Sequence, residues 1–571
     1  MHSFSRRIRV VSYHIYLSKR YIASEARQEA FYASLRRGDL SPSLLQWMQH
    51  ESQETWDRFA GNDFPIIPVI TSELPEIGPA GRFYYYWHND SYYRRPVLSG
   101  EPQHLCPADP NLVHLAISPD ETQLVRVFQN GSVVINSKEQ YWKARAVEFG
   151  PYNSLYWIAH DGTVWRSVFD APAECIYHGP SHPAMSLRRS KGGSAMLLEN
   201  KSTTWVWQHR EDGTISEDVS DTLLVDVHRD GQIVSLQSTT NDAVWNIYEM
   251  DLFAKHVVTY QRSYEEERHR IVIQSFEGQE FVSNETMIDP FSKLTPSGNM
   301  QYDTDILRFC LEKPYQPPTT YEFNMTNHHL ETLARNFAPA FHNMMEERIY
   351  ATSPDGTQVP ITVFSHDKST IDHVLLVGYG AYEKPAEWSY DPLFHYLLNQ
   401  GVVVAYANIR NDKILGIQDF IAGAECMQLY GSVTAYGVSA GGVVVGASLQ
   451  QAPHVFQSGI FVNALLDVEA TLRNPDLYLT KEDWEEYGNP ELDPSIASYC
   501  PVQNVSRGGP PVLVLATLDD DRAPYWNALI YTHKRGTEST HLYMEPSGGH
   551  TWNSDRQRMM ALQASFVLHS H

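Results

Sequence analysis

From about residue 66 to residue 345 the chain alternates apolar and polar positions in short runs rich in tyrosine, valine and tryptophan, the period-2 pattern of half-buried strands. Turn dipeptides that suit tight hairpins punctuate these runs at Asn130-Gly131, Asp161-Gly162, Asp212-Gly213 and Asp230-Gly231. Hairpins repeated over this length predict a large all-β domain. Radially arranged four-stranded blades are one way to protect so many strand edges, and a pair of packed sheets is the competing arrangement. After about residue 346 the pattern changes. Apolar runs at 374–377, 402–407, 433–437, 459–462, 512–516 and 540–543 read as strands buried on both faces. They alternate with helical stretches, as an α/β domain with a mostly parallel sheet requires. Residues 1–65 mix charged and apolar positions at 25–36 and 43–59, which predicts helices. The expected organisation is therefore an N-terminal helical segment at 1–65, an all-β domain at 66–345 and an α/β domain at 346–571.

Composition sharpens this in a few places. A length of 571 residues exceeds what one hydrophobic core usually organises, which agrees with at least two domains. No run of 18 or more apolar residues is present, so no membrane span is expected. The five cysteines, Cys106, Cys175, Cys310, Cys426 and Cys500, stand singly, without the paired spacing of zinc sites or disulfide scaffolds, and predict a reducing compartment, the cytoplasm. The first 24 residues carry Arg6, Arg7, Arg9, Lys19 and Arg20 with no acidic residue, the composition of a mitochondrial presequence and the alternative location; a helix packed on the body of the protein is the plainer reading. A net charge of −24 argues against a nucleic-acid partner and favours cationic ligands, although solubility alone accounts for it equally well. No His-Glu-x-x-His cluster occurs and His328-His329 reads as a surface pair, so neither metal nor other cofactor is expected.

The chemistry concentrates in the α/β segment. Gly437-Val438-Ser439-Ala440-Gly441 fits the Gly-x-Ser-x-Gly elbow, and it stands after a strand-like run and before a helical one. Small residues allow a sharp turn that lifts Ser439 above the sheet, with the Ala440 N–H and the helix N-terminus facing a developing oxyanion. A serine hydroxyl needs a base, and in α/β-hydrolases the acid and then the histidine follow at the ends of later strands. The strand-like run at 510–517 leads into Leu518-Asp519-Asp520-Asp521-Arg522, and the run at 541–546 leads into Ser547-Gly548-Gly549-His550. Asp520 and His550 are the candidates to complete a triad with Ser439; order along the chain does not exclude Asp519 or Asp521.

Together the motifs GYGAY, GVSAGG, EEYGNP, LDDDRAPYW and SGGH resemble the prolyl oligopeptidase family, closest to its oligopeptidase B branch, over most of residues 346–571. That resemblance implies an α/β-hydrolase catalytic domain, on which the N-terminal helical segment 1–65 packs, plus an all-β propeller of seven blades across 66–345, shortened here because the region is brief for seven full ones. It implies Asp520 as the catalytic acid, Arg522 as a contact to the substrate backbone, and Tyr379 of the GYG turn as an oxyanion donor beside Ala440. In the acidic stretch 481–490, Asp483 and Glu485 fall at the two carboxylate positions of the primary specificity pocket, and Glu387 falls at an acidic position serving the next subsite, with Ser389 where its acidic companion belongs. Paired carboxylates hold an arginine fork or a lysine ammonium. The implied activity is a serine endopeptidase acting on short, basic oligopeptides after Arg or Lys, with no cofactor and an oligomeric state that the sequence leaves open. One departure is plain: after Arg410 the family has a glycine-rich segment and a longer run, whereas here Asn411-Asp412-Lys413 leads quickly to Asp419. An esterase or acylaminoacyl-releasing hydrolase of the same fold is the alternative activity, and a catalytically impaired propeller scaffold is the alternative from a different class.

Overall fold

A computed structural model describes residues 25–569 apart from 61–66, 68–75, 89–90, 97–99, 110, 137, 169–171, 179–184, 201–202, 210–213, 221–223, 237–244, 264–267, 277–279, 283–287, 290, 336–342, 367–371, 385, 476, 478–479 and 552–555. The basic N-terminal segment and the Asp212-Gly213 turn lie outside the described residues. The chain divides into two units, one formed by Met1–Val69 with Pro339–His571 and the other by Ile70–Ala338.

The first unit is built on one eight-stranded sheet: β1 (Met345–Thr352), β2 (Gln358–Ser365), β3 (His373–Gly378), β4 (Val403–Ala407), β5 (Ser432–Val438), β6 (Ser458–Val462), β7 (Val512–Thr517) and β8 (Thr540–Glu545). Its order is β1-β2-β4-β3-β5-β6-β7-β8, with β1–β2 and β2–β4 antiparallel and every other pair parallel. This is the order of an α/β-hydrolase sheet. All six apolar runs read from the sequence are strands here, and β4 and β7 are buried at every position. Continuous burial demands cover on both faces. Val433 and Ala435 of β5 join the core that contains Phe420 and Val443, whereas the Tyr436 ring meets Phe394 and its hydroxyl donates to Gln563.

Helices α1 (Glu25–Arg36), α2 (Pro42–Phe59), α3 (Pro392–Asn399), α4 (Lys413–Met427), α5 (Gly441–Gln451), α6 (Thr480–Tyr487), α7 (Trp526–Arg535) and α8 (Arg556–His569) supply that cover. Their starts follow capping chemistry. Ser41, Asp391 and Asp412 each accept backbone N–H bonds at the first turns of α2, α3 and α4, and proline follows the first two of these caps. The N-terminal helices are fixed to this sheet by Arg36 on the buried Asp467, by the Ser52 hydroxyl on the β8 backbone, and by Phe59 against His541 and Phe566.

Register decides where the chemistry sits. Gly378 is opposite Gly437, Val438 opposite Val462, Val462 opposite Leu515, and Thr517 opposite Glu545. The C-terminal ends of β3, β5, β6, β7 and β8 therefore coincide, and the residues that follow them emerge at one edge, where ligands gather in parallel sheets.

The second unit is a β-propeller. Among the described residues it holds six four-stranded antiparallel sheets and, between the fourth and the last two of these, a hairpin of Leu224–Val227 with Ile233–Leu236. Neighbouring sheets share their cores: Val125 and Val127 pack with Val147 and Trp157, Ile158 and Val164 with Met196 and Trp207, Val206 with Val225, and Tyr260 and Ile273 with Leu307 and Phe309. The turns at Asn130-Gly131, Asp161-Gly162 and Asp230-Gly231 fall between strands, and each glycine has positive φ.

Candidate active site

Ser439 sits between β5 and α5 with φ of 53°, a left-handed conformation that costs a non-glycine residue about 1–2 kcal/mol. Neighbouring backbone holds it there: its N–H donates to Val462 O at 3.1 Å, and its carbonyl accepts from Gly442 N at 3.0 Å and Leu465 N at 2.9 Å. The elbow admits only glycine at two following positions. A Cβ on Gly441 would lie 2.4 Å from Gly378 O, and one on Gly442 would lie 2.5 Å from the Ala464 Cβ.

The Ser439 Oγ lies 2.9 Å from His550 Nε2, and His550 Nδ1 lies 2.9 and 2.8 Å from the two carboxylate oxygens of Asp520. A serine–imidazole–carboxylate chain is thus continuous. Asp520 is buried and also accepts from the backbone N–H of Arg522 and Ala523, both at 2.9 Å, which fixes its carboxylate plane. Asp519 has a different task. Its two oxygens accept from Gly548 N at 3.2 Å and Gly549 N at 2.8 Å, so it shapes the loop while Asp520 meets the ring. Asp521 is exposed.

Sequence reasoning missed the residues behind this loop. Asn463, buried at the end of β6, donates from Nδ2 to His550 O at 2.8 Å and Gly549 O at 3.2 Å, and accepts from Thr517 N at 3.2 Å. The Thr517 hydroxyl adds a bond to Gly549 O at 2.9 Å. The φ of 42° at Asn463 is one that asparagine tolerates, so a lone asparagine ending a buried strand was the available signal.

Beside the elbow, β3 leads into Tyr379, whose Cα would stand 3.4 Å from a Cβ at Gly441. The Ala440 N–H opens α5 at the same place. Burial raises the Tyr379 phenol above its ordinary pKa, the carboxylates of Glu486 and Asp483 raise it further, and the Arg522 guanidinium opposes them. A neutral phenol is a donor. These four side chains therefore share one electrostatic neighbourhood, with Arg522 exposed.

The acidic stretch forms α6, and its carboxylates separate. Asp483 is buried and accepts from the Tyr382 hydroxyl at 2.8 Å. Glu485 is exposed; two residues along a helix rotate it by about 200° from Asp483. The carboxylate brought towards the Tyr379 turn with Asp483 is Glu486, three residues on, and it is ion-paired with Lys413. Glu485 therefore lies on a more exposed side of α6 than Asp483. Glu387 is exposed on the segment after the turn, next to Trp388, which is buried against Phe364 and Tyr406. Among the described residues no cluster of His, Cys, Asp or Glu has the arrangement of a metal site.

Residues 388–569 match the family described as Peptidase_S9, the prolyl oligopeptidase family. The prolyl endopeptidase-like protein of Xenopus laevis is 29% identical over 317 residues, covering 47% of this chain and 44% of the relative. Dipeptidyl aminopeptidase BI of Pseudoxanthomonas mexicana is 28% identical over 265 residues, covering 41% of this chain and 37% of the relative. The chain thus spans less than half the length of these curated relatives. In fold it resembles oligopeptidase B from Leishmania major, at TM-score 0.76, 17% identity and coverage of 93% and 92%, and oligopeptidase B from Trypanosoma brucei with covalently bound antipain, at TM-score 0.75, 21% identity and the same coverage. Residues 388–569, which hold Ser439, Asp520 and His550, carry a peptidase domain of the prolyl oligopeptidase family.

Proposed function

We propose that this chain is a serine oligopeptidase that cleaves short peptides through an acyl-enzyme on Ser439, with a preference for Arg or Lys before the scissile bond. The observation that carries the reading is the 2.9 Å approach of Ser439 Oγ to a His550 whose other nitrogen is held by Asp520. Ser439 Oγ attacks the carbonyl carbon as its proton passes to His550 Nε2, and Asp520 stabilises the resulting imidazolium. The oxyanion is received by the Ala440 N–H and the Tyr379 hydroxyl. Collapse of the tetrahedral species breaks the C–N bond, and the proton on His550 leaves with the amine. Water then loses a proton to His550, attacks the ester and regenerates the Ser439 hydroxyl. None of these steps uses a cofactor.

The basic preference rests on Asp483, a buried carboxylate in the neighbourhood of Tyr379. A cationic side chain reaching it would form a charge-assisted bond in a site shielded from water. Arg522 is suited to a substrate carbonyl, and Glu387 to a residue further along the peptide. Five free thiols suit a reducing compartment such as the cytoplasm.

The esterase or acyl-releasing alternative gains one point of support: Glu486, the carboxylate that shares the Tyr379 neighbourhood with Asp483, is already paired with Lys413. Turnover of matched arginyl, lysyl and neutral amide reporters separates the readings. Faster cleavage of the two basic reporters is expected, and equal rates on all three would rule out the basic preference.

A further inference from the structure

The turn that follows Tyr379, at residues 381–384, is strained and is held from outside. Tyr382 and Glu383 have φ of 57° and 55° at the centre of a turn closed by Lys384 N on Ala381 O at 3.0 Å. Two successive non-glycine residues in the left-handed region persist only where surrounding contacts over-determine them. Such contacts come from two places. Tyr382 is tied to Asp483 of α6, and the other tethers come from the short crossover at residues 410–413. Asn411 Oδ1 accepts from Glu383 N at 3.1 Å, and Lys413 Nζ donates to Gly380 O at 2.9 Å. The same two side chains reach α6, where Lys413 pairs with Glu486 and Asn411 Nδ2 lies 3.5 Å from the other oxygen of that carboxylate.

The crossover has its own anchors. Arg410 forks onto the buried Asp419, at 2.8 Å from Nε and 2.6 Å from Nη2, and reaches Asp355 at 2.6 Å. Asp412 caps α4 through the Ile414 and Leu415 N–H groups at 3.0 and 2.8 Å. A rigid path therefore runs from the sheet through four residues to both the Tyr379 turn and the acidic helix. These four residues open the stretch between Arg410 and Ser439 in which the sequence is shorter than the family resemblance implies.

We propose that residues 410–413 form a clamp in which Lys413 is a positioning residue for Tyr379 and the buried counter-ion of Glu486 on α6. The inference rests on the peptidase reading for its kinetic consequence and on geometry alone for its structural one. Lys413 is nine-tenths buried, so removing its ammonium leaves the Gly380 carbonyl and the Glu486 carboxylate without their shared donor. Two effects of opposite sense follow. The turn loosens and oxyanion stabilisation weakens, while the uncompensated Glu486 increases the attraction for a basic substrate.

Lys413→Met and Lys413→Arg decide this by two measurements. In hydrogen exchange of the free protein, the amides of Glu383 and Lys384 should exchange at least about tenfold faster in Lys413→Met, with β5 and α5 unaffected, and Lys413→Arg should restore protection. On an arginyl amide reporter, Lys413→Met should lower kcat about tenfold or more, since small misplacements of a catalytic group are costly, and KM should fall as well; Lys413→Arg should recover most of kcat. Unchanged exchange at the turn would overturn the clamp whether or not the protein hydrolyses anything. A rise in KM with kcat unchanged would overturn the charge assignment. Failure of the unmodified protein to cleave any reporter would remove the peptidase reading and with it the kinetic role, leaving exchange to decide the clamp.

Discussion

Ser439 and Asp520 are held chiefly by backbone groups and the His550 loop by two side chains from neighbouring strand ends, whereas the turn after Tyr379 is tied to Asp483, Asn411 and Lys413, whose side chains come from a separate helix and crossover. On the first side, Val462 O, Leu465 N, Arg522 N and Ala523 N fix the serine and the acid, and Asn463 and Asp519 fix the histidine loop. On the second side, the bonds join Tyr382 to Asp483, Glu383 to Asn411, and Lys413 to Glu486, spanning 101, 28 and 73 residues. Backbone-held groups survive substitution nearby provided the strand ends keep their register. Groups held by distant side chains depend on each partner, and on that side a single substitution should change rate and specificity together.

The largest effect that would test this contrast is at the acid. Asp520→Asn should reduce kcat by about 10⁴ through loss of the imidazole orientation, whereas Asp519→Asn, which touches only loop amides, should cost about tenfold or less. Steady-state kinetics on one amide reporter reads both, and equal losses would merge the two aspartates into one role. Next comes Tyr379→Phe. Removing the hydroxyl proposed as the second oxyanion donor should lower kcat by about 10²–10³ with KM little changed. A change confined to KM would move Tyr379 from the reaction to binding.

On the substrate side, Asp483→Ala should lower kcat/KM for arginyl reporters by about 10- to 100-fold and leave neutral ones nearly unaffected, consistent with loss of a charge-assisted bond. Glu485→Ala should be close to neutral for both, because that carboxylate is exposed. A larger loss at Glu485 would restore the pairing expected from the motif. The smallest effect is on stability. His541 of β8, packed on Phe59 and Phe566, is held neutral mainly by burial, with Arg58 contributing, so its pKa falls from 6.5 to about 4. The unfolded chain takes up this proton below about pH 6.5 and the folded protein only near pH 4, so stability should decline as pH falls across that window. Denaturant titrations should show a shallower decline in His541→Gln.

The same contrast explains what could be read from the sequence. All six buried strands and the serine elbow were legible, because continuous apolar runs and a glycine-flanked serine are local patterns with one physical solution. Ser439, Asp520 and His550 were named from their order after those strands, and they meet because the register aligns the strand ends. Whether Asp519 or Asp520 faced the ring was open, since adjacent residues differ only in side-chain direction. The split of Asp483 from Glu485 was hidden until the stretch was known to be helical, where positions two apart face different ways. Lys413 as the partner of Glu486 left no trace in the sequence, because an ion pair between residues 73 apart has no local pattern.

The most direct test is reaction of the purified protein with a fluorophosphonate, followed by peptide mapping. A single adduct on Ser439, formed by the unmodified protein and lost in His550→Ala, is the expected result. No adduct on Ser439, or the same rate of labelling in His550→Ala, would contradict the account, because the hydroxyl would then owe nothing to the imidazole 2.9 Å away.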